Sequence, residues 1–528
     1  MRNRPKTASG SDVRSRWIVI ALVATTVFLC AAHFDPKLHT GGDNALYILL
    51  SESIRTVGDG YSTTIEPGPA VPHTLVPPGY PVLLAAVGAL FGRNIVLLKL
   101  LSLALIAGTA WIFCLFVRDR ARNREGPYPH LLLALAFAVS PLLIDYSHWI
   151  LSEAPFAFFV MLSLFLLQRD SGEREDRTFW LALLAAVASF YVRSVGALLL
   201  VAASAGYLVR RQWRKFLVHG VVGVALTIPW LIRNRLLTGT TSSYLEQFSV
   251  ANIYDPEAGT LDLMGRVERV LDNAWFYATR ELPRALVGSD SSWSTHPLVD
   301  AVAIVVCVLA IVGLVQALRR RPGALEFFFV LTFAAITMFQ SVANDVRYLV
   351  PLLPLILVYA IEGALSVAEA ARRRVPRLRV LPAALAGTLV GVALLSASAR
   401  IPRNVDMLSR YSAGDPYADY HPVWRHFFEA AAYVRGATPE DAVVTVRKPR
   451  LFRFLTDRRT RVFPFTTERD SVLSVVLSTD YVVIDQVSRA TTALYLVPVI
   501  EENRDRFRCE YRSEQPYTYV CAVLDTPP

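Results

Sequence analysis

The sequence predicts a polytopic α-helical membrane protein of about 11 spans with a C-terminal, water-facing α/β domain, and three observations predict it. Of its 528 residues, 53% are hydrophobic and only 19% charged. That balance and a mean hydropathy of +0.38 exclude an ordinary soluble globule. The apolar residues fall in blocks such as 17–32, 95–117, 298–318 and 380–397, each close to the roughly 20 residues that cross a bilayer core. From about residue 402 the texture changes to mixed charge, aromatics and short strand-like runs.

The spans are expected near 17–33, 94–117, 130–146, 150–167, 178–193, 195–209, 216–232, 298–318, 325–342, 348–367 and 380–398. The first run follows Arg2, Arg4, Lys6, Arg14 and Arg16 but shows no small-x-small cleavage pattern, so it reads as an uncleaved anchor. Cationic loops stay on the cytoplasmic side. Clusters at Arg118 to Arg124, Arg210 to Lys215, Arg319 to Arg321 and Arg372 to Arg379 therefore set an N-in, C-out chain. The mixed cluster from Arg169 to Arg177 follows by parity. Parity also requires a hairpin turn near Arg193, since a single helix over 178–209 would flip every later cluster. The expected organisation is a basic cytoplasmic N-terminus (1–16), a transmembrane domain (17–400) with outer loops near 33–93 and 233–297, and an extracytoplasmic α/β domain (401–528). The net charge of +10 reflects this orientation, and no nucleic-acid partner is expected.

Sorting polar residues by side brings Asp43, Glu153, Arg193, Arg233 and Arg347 to or near the outer face. Ionisable groups at membrane depth are costly, so they line cavities, pair with one another or bind charged ligands. Structural roles stand beside functional ones: Asp43 as a helix N-cap, Glu153 as a helix-start residue, Arg193 as a snorkelling turn residue, Arg233 as an interfacial anchor beside Trp230, and Arg347 in a pair with Asp345. Asp43 precedes an amphipathic stretch, with Leu46, Ile54 and Val57 on one side, that suits a helix lying along a membrane surface.

An acidic residue after the first span, the outer-loop Tyr47, the segment Pro77-Pro78-Gly79-Tyr80-Pro81 and Leu151-Ser152-Glu153-Ala154-Pro155-Phe156 appear in that order. Pro229-Trp230-Leu231-Ile232-Arg233-Asn234 and Arg347-Tyr348-Leu349-Val350-Pro351 follow. Together they resemble the GT-C class of membrane glycosyltransferases that use polyprenyl-phosphate sugars, which includes protein O-mannosyltransferases and lipid A aminoarabinose transferases. The resemblance spans nearly the whole chain. It implies inverting transfer of a sugar from a polyprenyl-phosphate donor to an acceptor hydroxyl on a lipid, glycan or protein, at the outer face of a bacterial-type inner membrane. It also implies that Asp43 is the catalytic base, that Glu153 is a second catalytic carboxylate, and that Tyr47, Tyr80, Arg193, Arg233, Arg347 and Tyr348 bind substrate. Many relatives carry Asp-Glu where this chain has Asp43-Asn44.

The residues support that chemistry independently. An attacking hydroxyl needs a carboxylate to take its proton, and the leaving phosphate gathers charge that Arg meets with two parallel hydrogen bonds. No cofactor is implied with certainty. A divalent cation shared by Asp43 and Glu153, with His148 near, stays open, because scattered carboxylate sites have no diagnostic spacing. Two other classes remain: a lipid-linked glycan flippase or transporter, against which no internal repeat is found, and a non-catalytic scaffold that displays the C-terminal domain. Of the five cysteines, Cys30, Cys114 and Cys307 lie in apolar runs. Cys509 and Cys521, on two late strands outside the membrane, are expected to form a disulfide or to remain as two buried thiols.

Overall fold

The computed structural model describes residues 10–56, 60–121, 128–170, 172, 174–238, 248–252, 255, 258–288, 292–371 and 374–524. Parts of the basic clusters, including Arg2, Arg4, Lys6, Arg122, Arg124 and Arg372, lie outside these residues. The chain divides into two compact units. The first comprises Met1–Asp35, Lys99–Phe248 and Asp262–Asn404; the second comprises Pro36–Leu98, Ser249–Leu261 and Val405–Pro528.

The first unit is helical. Each of the apolar stretches above holds a helix, and among the described residues five helices are long and apolar enough to cross a membrane: Ile95–Ala121, Trp213–Thr238, Pro297–Arg320, Leu353–Ala371 and Arg377–Ser412. On Trp213–Thr238 the residues Leu217, Val221, Val224, Ile228 and Ile232 are exposed at helical spacing, as a lipid-facing stripe requires. The protein is an integral membrane protein. Pro297–Arg320 and Leu353–Ala371 pack closely where Gly313 meets Gly363: a Cβ on Gly313 would stand 2.0 Å from the Tyr359 carbonyl oxygen. Only glycines allow the two backbones this approach.

Prolines move several bounds from their expected places. The 130–146 stretch divides into Tyr128–Ala138 and Pro141–Tyr146, because Pro141 has no N–H and disfavours helix at Ser140. Similarly, Leu353–Ala371 begins after Pro351 and is preceded by a 3-10 turn, Val346–Leu349. By contrast, Leu381–Ser412 runs on past Pro402. The 178–209 stretch is two helices, Arg177–Val192 and Ala197–Val209, joined by extended Arg193 and a 3-10 turn, Ser194–Gly196. A Cβ on Gly196 would stand 2.5 Å from the Phe190 nitrogen, so this turn closes only with glycine.

The second unit joins the Pro36–Leu98 segment to the C-terminal region. A two-stranded ladder pairs β1 (Ser62–Thr63) with β2 (Val71–Pro72). The main sheet contains β3 (Val443–Thr445), β4 (Arg459–Arg461), β5 (Tyr481–Ile484), β6 (Phe507–Arg512) and β7 (Tyr519–Val523), in the order β4-β3-β5-β7-β6. β3 is parallel to β4 and β5, and β7 is antiparallel to β5 and β6. Val482 and Cys521 enter a core with Phe463, Val472, Val476, Leu496 and Val499, while Pro422–Ala437 packs on β6 and β7. Cys509 lies opposite Cys521 in the β6–β7 register, and the two are disulfide-bonded. The edge of β4 is covered by the segment after β1: the Thr460 N–H donates to the Ile65 carbonyl at 2.8 Å, and Arg453 and Arg459 donate to the Thr64 carbonyl. An edge so occupied has no row of free backbone groups to offer another chain.

Candidate functional site

Within the helical unit, Ser152 precedes the helix Glu153–Arg169 and Glu153 occupies its first turn, where the helix dipole favours a carboxylate. Glu153 is 2% exposed. Its carboxylate is ion-paired with Arg193, which projects from the break between its two helices. Arg193 also donates to the Ser152 hydroxyl at 3.0 Å. The same guanidinium lies 5.7 Å from the centre of the Tyr348 ring, and Arg347 lies 5.1 Å from it while donating to the Tyr348 hydroxyl at 3.2 Å. Asp345 accepts the Arg347 backbone N–H at 3.0 Å and so caps that 3-10 turn. Four expected site residues thus form one chain of contacts: Glu153, Arg193, Tyr348 and Arg347. Arg233 sits on an uninterrupted helix, 5.1 Å from the Trp230 ring, and donates to the Asn234 side-chain Oδ1 at 3.2 Å.

The second unit holds the other expected residues. Asp43 is in the first turn of Gly42–Arg55, and its side chain keeps 44% exposure. The buried face of that helix, including Leu46, Tyr47, Ile48 and Leu50, packs on Gly79–Phe91 and on Pro449–Thr456. Tyr47 and Tyr80 meet edge-on at 5.0 Å, both buried, and fix the angle of the Asp43 helix. Pro449–Thr456 brings Arg450 to 3.7 Å from the Asp43 carboxylate. Lys448 is in electrostatic reach of Asp43 and Asp485; burial and the neighbouring Arg447 lower its pKa from the usual lysine value. Burial pushes the Asp485 carboxyl up to about 6, against the Val487 N–H at 2.9 Å and the charges of Arg447 and Lys448.

Sequence reasoning missed two features of these clusters. One is the cationic run Arg447-Lys448-Pro449-Arg450 beside Asp43, visible as a charge run but with nothing to connect it to a residue some four hundred positions earlier. The other is the Asp145–Arg400 ion pair at 2.6 Å. No group of three or more His, Cys, Asp or Glu suited to hold a metal occurs among the described residues.

Two solved structures resemble the chain along nearly its whole length. Oligosaccharyltransferase AglB from Archaeoglobus fulgidus, in complex with an inhibitory peptide and a dolichol-phosphate, matches with TM-score 0.58 at 12% identity over 97% of this chain and 74% of that one. ArnT from Cupriavidus metallidurans, bound to undecaprenyl phosphate, matches with TM-score 0.56 at 15% identity over 97% of this chain and 99% of that one. The chain has a GT-C-like fold. No curated protein matches its sequence. Residues 86–354 match the family model described as "Domain of unknown function (DUF8201)".

Proposed function

The chain belongs to the family described as Domain of unknown function (DUF8201), and since that description assigns no activity, we propose one from the fold and the two carboxylate clusters. The protein is an inverting glycosyltransferase that moves a sugar from a polyprenyl-phosphate donor to an acceptor hydroxyl. It works at the outer face of a bacterial-type inner membrane, in the cell envelope, with an N-in, C-out topology. The observation that carries this reading is the half-exposed Asp43 carboxylate at a helix start, with Arg450 and Lys448 beside it. An accessible carboxylate can take a proton from an attacking hydroxyl, and adjacent cations can meet the charge that develops on a leaving phosphate. The polyprenyl phosphates bound by AglB and ArnT support that donor class.

Asp43 is the base, since it is open to an incoming group. Glu153, in the helical unit, is held by Arg193 and acts as a positioning residue for this guanidinium beside Tyr348 and Arg347. Tyr47 and Tyr80 position the Asp43 helix. Arg233, near the end of an apolar helix beside Trp230, is a further cation suited to a lipid phosphate.

Lipid-linked sugars that accumulate in a deletion strain, identified by mass spectrometry, will name the donor. With that donor, Asp43→Asn is expected to lower turnover by roughly 10²- to 10⁴-fold while undecaprenyl phosphate binding is unchanged. Wild-type transfer by a folded Asp43→Asn protein would remove Asp43 as the base. Failure of the wild-type protein to bind undecaprenyl phosphate would remove the donor class. A single cysteine at Ser412 is expected to react with an impermeant reagent from outside, and one at Arg319 to be protected.

A further inference from the structure

A second polar cluster lies at the opposite ends of the helices that carry Glu153 and Arg193. Gln168 is one helix length from Glu153, roughly 20 Å at 1.5 Å per residue. Together with Arg120, Tyr207, Arg210, Arg321 and Glu326 it lines a cavity of about 220 Å³ between helix ends, whose walls also include Leu167 and Leu325. This is room for roughly seven waters at about 30 Å³ each, enough for a phosphate ester and little more.

Most charges around the cavity already have partners. Arg120 is paired with Glu362 at 2.7 Å. Glu326 accepts the Gly323 N–H at 2.8 Å and the Tyr359 hydroxyl at 3.2 Å. Behind the wall, the Tyr207 hydroxyl donates to Asp170 at 2.7 Å, and Asp170 is ion-paired with fully buried Lys215. Arg210 and Arg321 are different: both are exposed at the rim, and neither has an ion pair among the described residues. Arg210 leans over the cavity floor, since a Cβ at Gly323 would stand 3.3 Å from its Nη2. Two guanidiniums from separate helix ends therefore line a small cavity whose walls mix polar side chains with Leu167 and Leu325.

We propose that this cavity binds the phosphate of an anionic lipid headgroup, clamped by Arg210 and Arg321. Guanidiniums match phosphate oxygens two at a time, and basic pockets between membrane helices hold acidic headgroups. Leu167 and Leu325 would meet the lipid's glycerol and first methylenes. The site is separate from the Asp43 and Glu153 clusters and needs no sugar chemistry, so it stands or falls independently of the proposed function.

The test uses the full-length protein in neutral detergent, with phosphatidylglycerol, phosphatidylcholine or inorganic phosphate added. Thermal unfolding and native mass spectrometry are read in parallel. Phosphatidylglycerol is expected to raise the unfolding temperature and to remain bound in the gas phase, whereas phosphatidylcholine does neither. Arg210→Gln with Arg321→Gln should weaken phosphatidylglycerol binding by about ten-fold or more. Arg210→Lys with Arg321→Lys, which keeps charge but loses the fork, should fall between. Arg377→Gln with Arg379→Gln removes two exposed arginines outside the cavity and should bind like wild type. If inorganic phosphate reproduces the stabilisation and loses it in the Arg210/Arg321 double variant, the site stands with a free phosphate ester as its ligand. Equal phosphatidylglycerol binding by wild type and the double glutamine variant, or equal losses in the Arg377/Arg379 control, would overturn the proposal.

Discussion

Glu153 in the helical unit and Asp43 in the sheet-bearing unit occupy the same place in their helices, the first turn, and differ in nearly everything else. Glu153 is buried and ion-paired with Arg193, whereas Asp43 keeps 44% side-chain exposure and lies 3.7 Å from Arg450. The contrast extends beyond these two residues. Lys215 and Asp170 in the helical unit are both fully inaccessible, while Arg93 in the other unit bridges Glu52 and Asp457 with 43% exposure. Burying a charge is tolerable only with a partner, and in the helical unit Glu153 and Asp170 are each held by a fixed cation. A carboxylate left near water keeps its freedom to exchange a proton. Burial, more than residue type, therefore separates carboxylates that hold structure from those available for chemistry.

The largest stability effect expected from this contrast is at the fully buried pair. Lys215→Met leaves Asp170 charged and enclosed, and should cost about 3–5 kcal/mol in thermal or denaturant unfolding. Adding Asp170→Leu should recover much of that loss. A Lys215→Met protein as stable as wild type would mean that the pair does not exist as described.

A pH effect of about 3 kcal/mol is expected in the other unit, the value of a carboxyl moved from near 3.8 to about 6. Asp485 binds its proton more tightly when folded than when unfolded, so its stabilising contribution is full below about pH 4 and is lost as pH rises through 6. Asp485→Asn should flatten that portion of the stability profile. A slope unchanged between pH 4 and 7 in the variant would place the proton elsewhere.

Glu153→Ala should destabilise the helical unit by about 2 kcal/mol, less than Lys215→Met, because Arg193 retains 22% exposure and the Ser152 hydroxyl as an acceptor. Glu153→Gln, which keeps one hydrogen bond, should cost less. The smallest effect is expected at Arg93→Gln, at most about 1 kcal/mol, because exposed ion pairs are screened and held at an entropic cost. A loss there equal to that at Lys215 would break the comparison between the two units.

Much of the helical unit was legible in the sequence because hydropathy and proline act locally. A run such as 298–318 has no stable alternative to a membrane helix, and Pro141 interrupts one wherever the rest of the chain goes. The need for a break near Arg193 could be argued from charge parity alone. Of the late strands, Phe507–Arg512 stood out by the alternation of Phe507, Cys509 and Tyr511 with charged residues and Tyr519–Val523 by its apolar run, whereas β4, the three residues Arg459–Arg461, carries no alternation long enough to notice.

By itself, then, the sequence determined which segments are apolar helices, where they must turn, and which charged residues are too costly to be incidental. Only the tertiary structure decided their partners: that Glu153 meets Arg193 across forty residues, that the 62–66 segment closes the edge of β4, and that Arg450 stands beside Asp43. Helix formation and turn chemistry depend on neighbours within a few residues, so the chain records them directly. Pairing across hundreds of positions depends on which surfaces pack, and that is set by the summed burial of many side chains, which no single residue or spacing encodes.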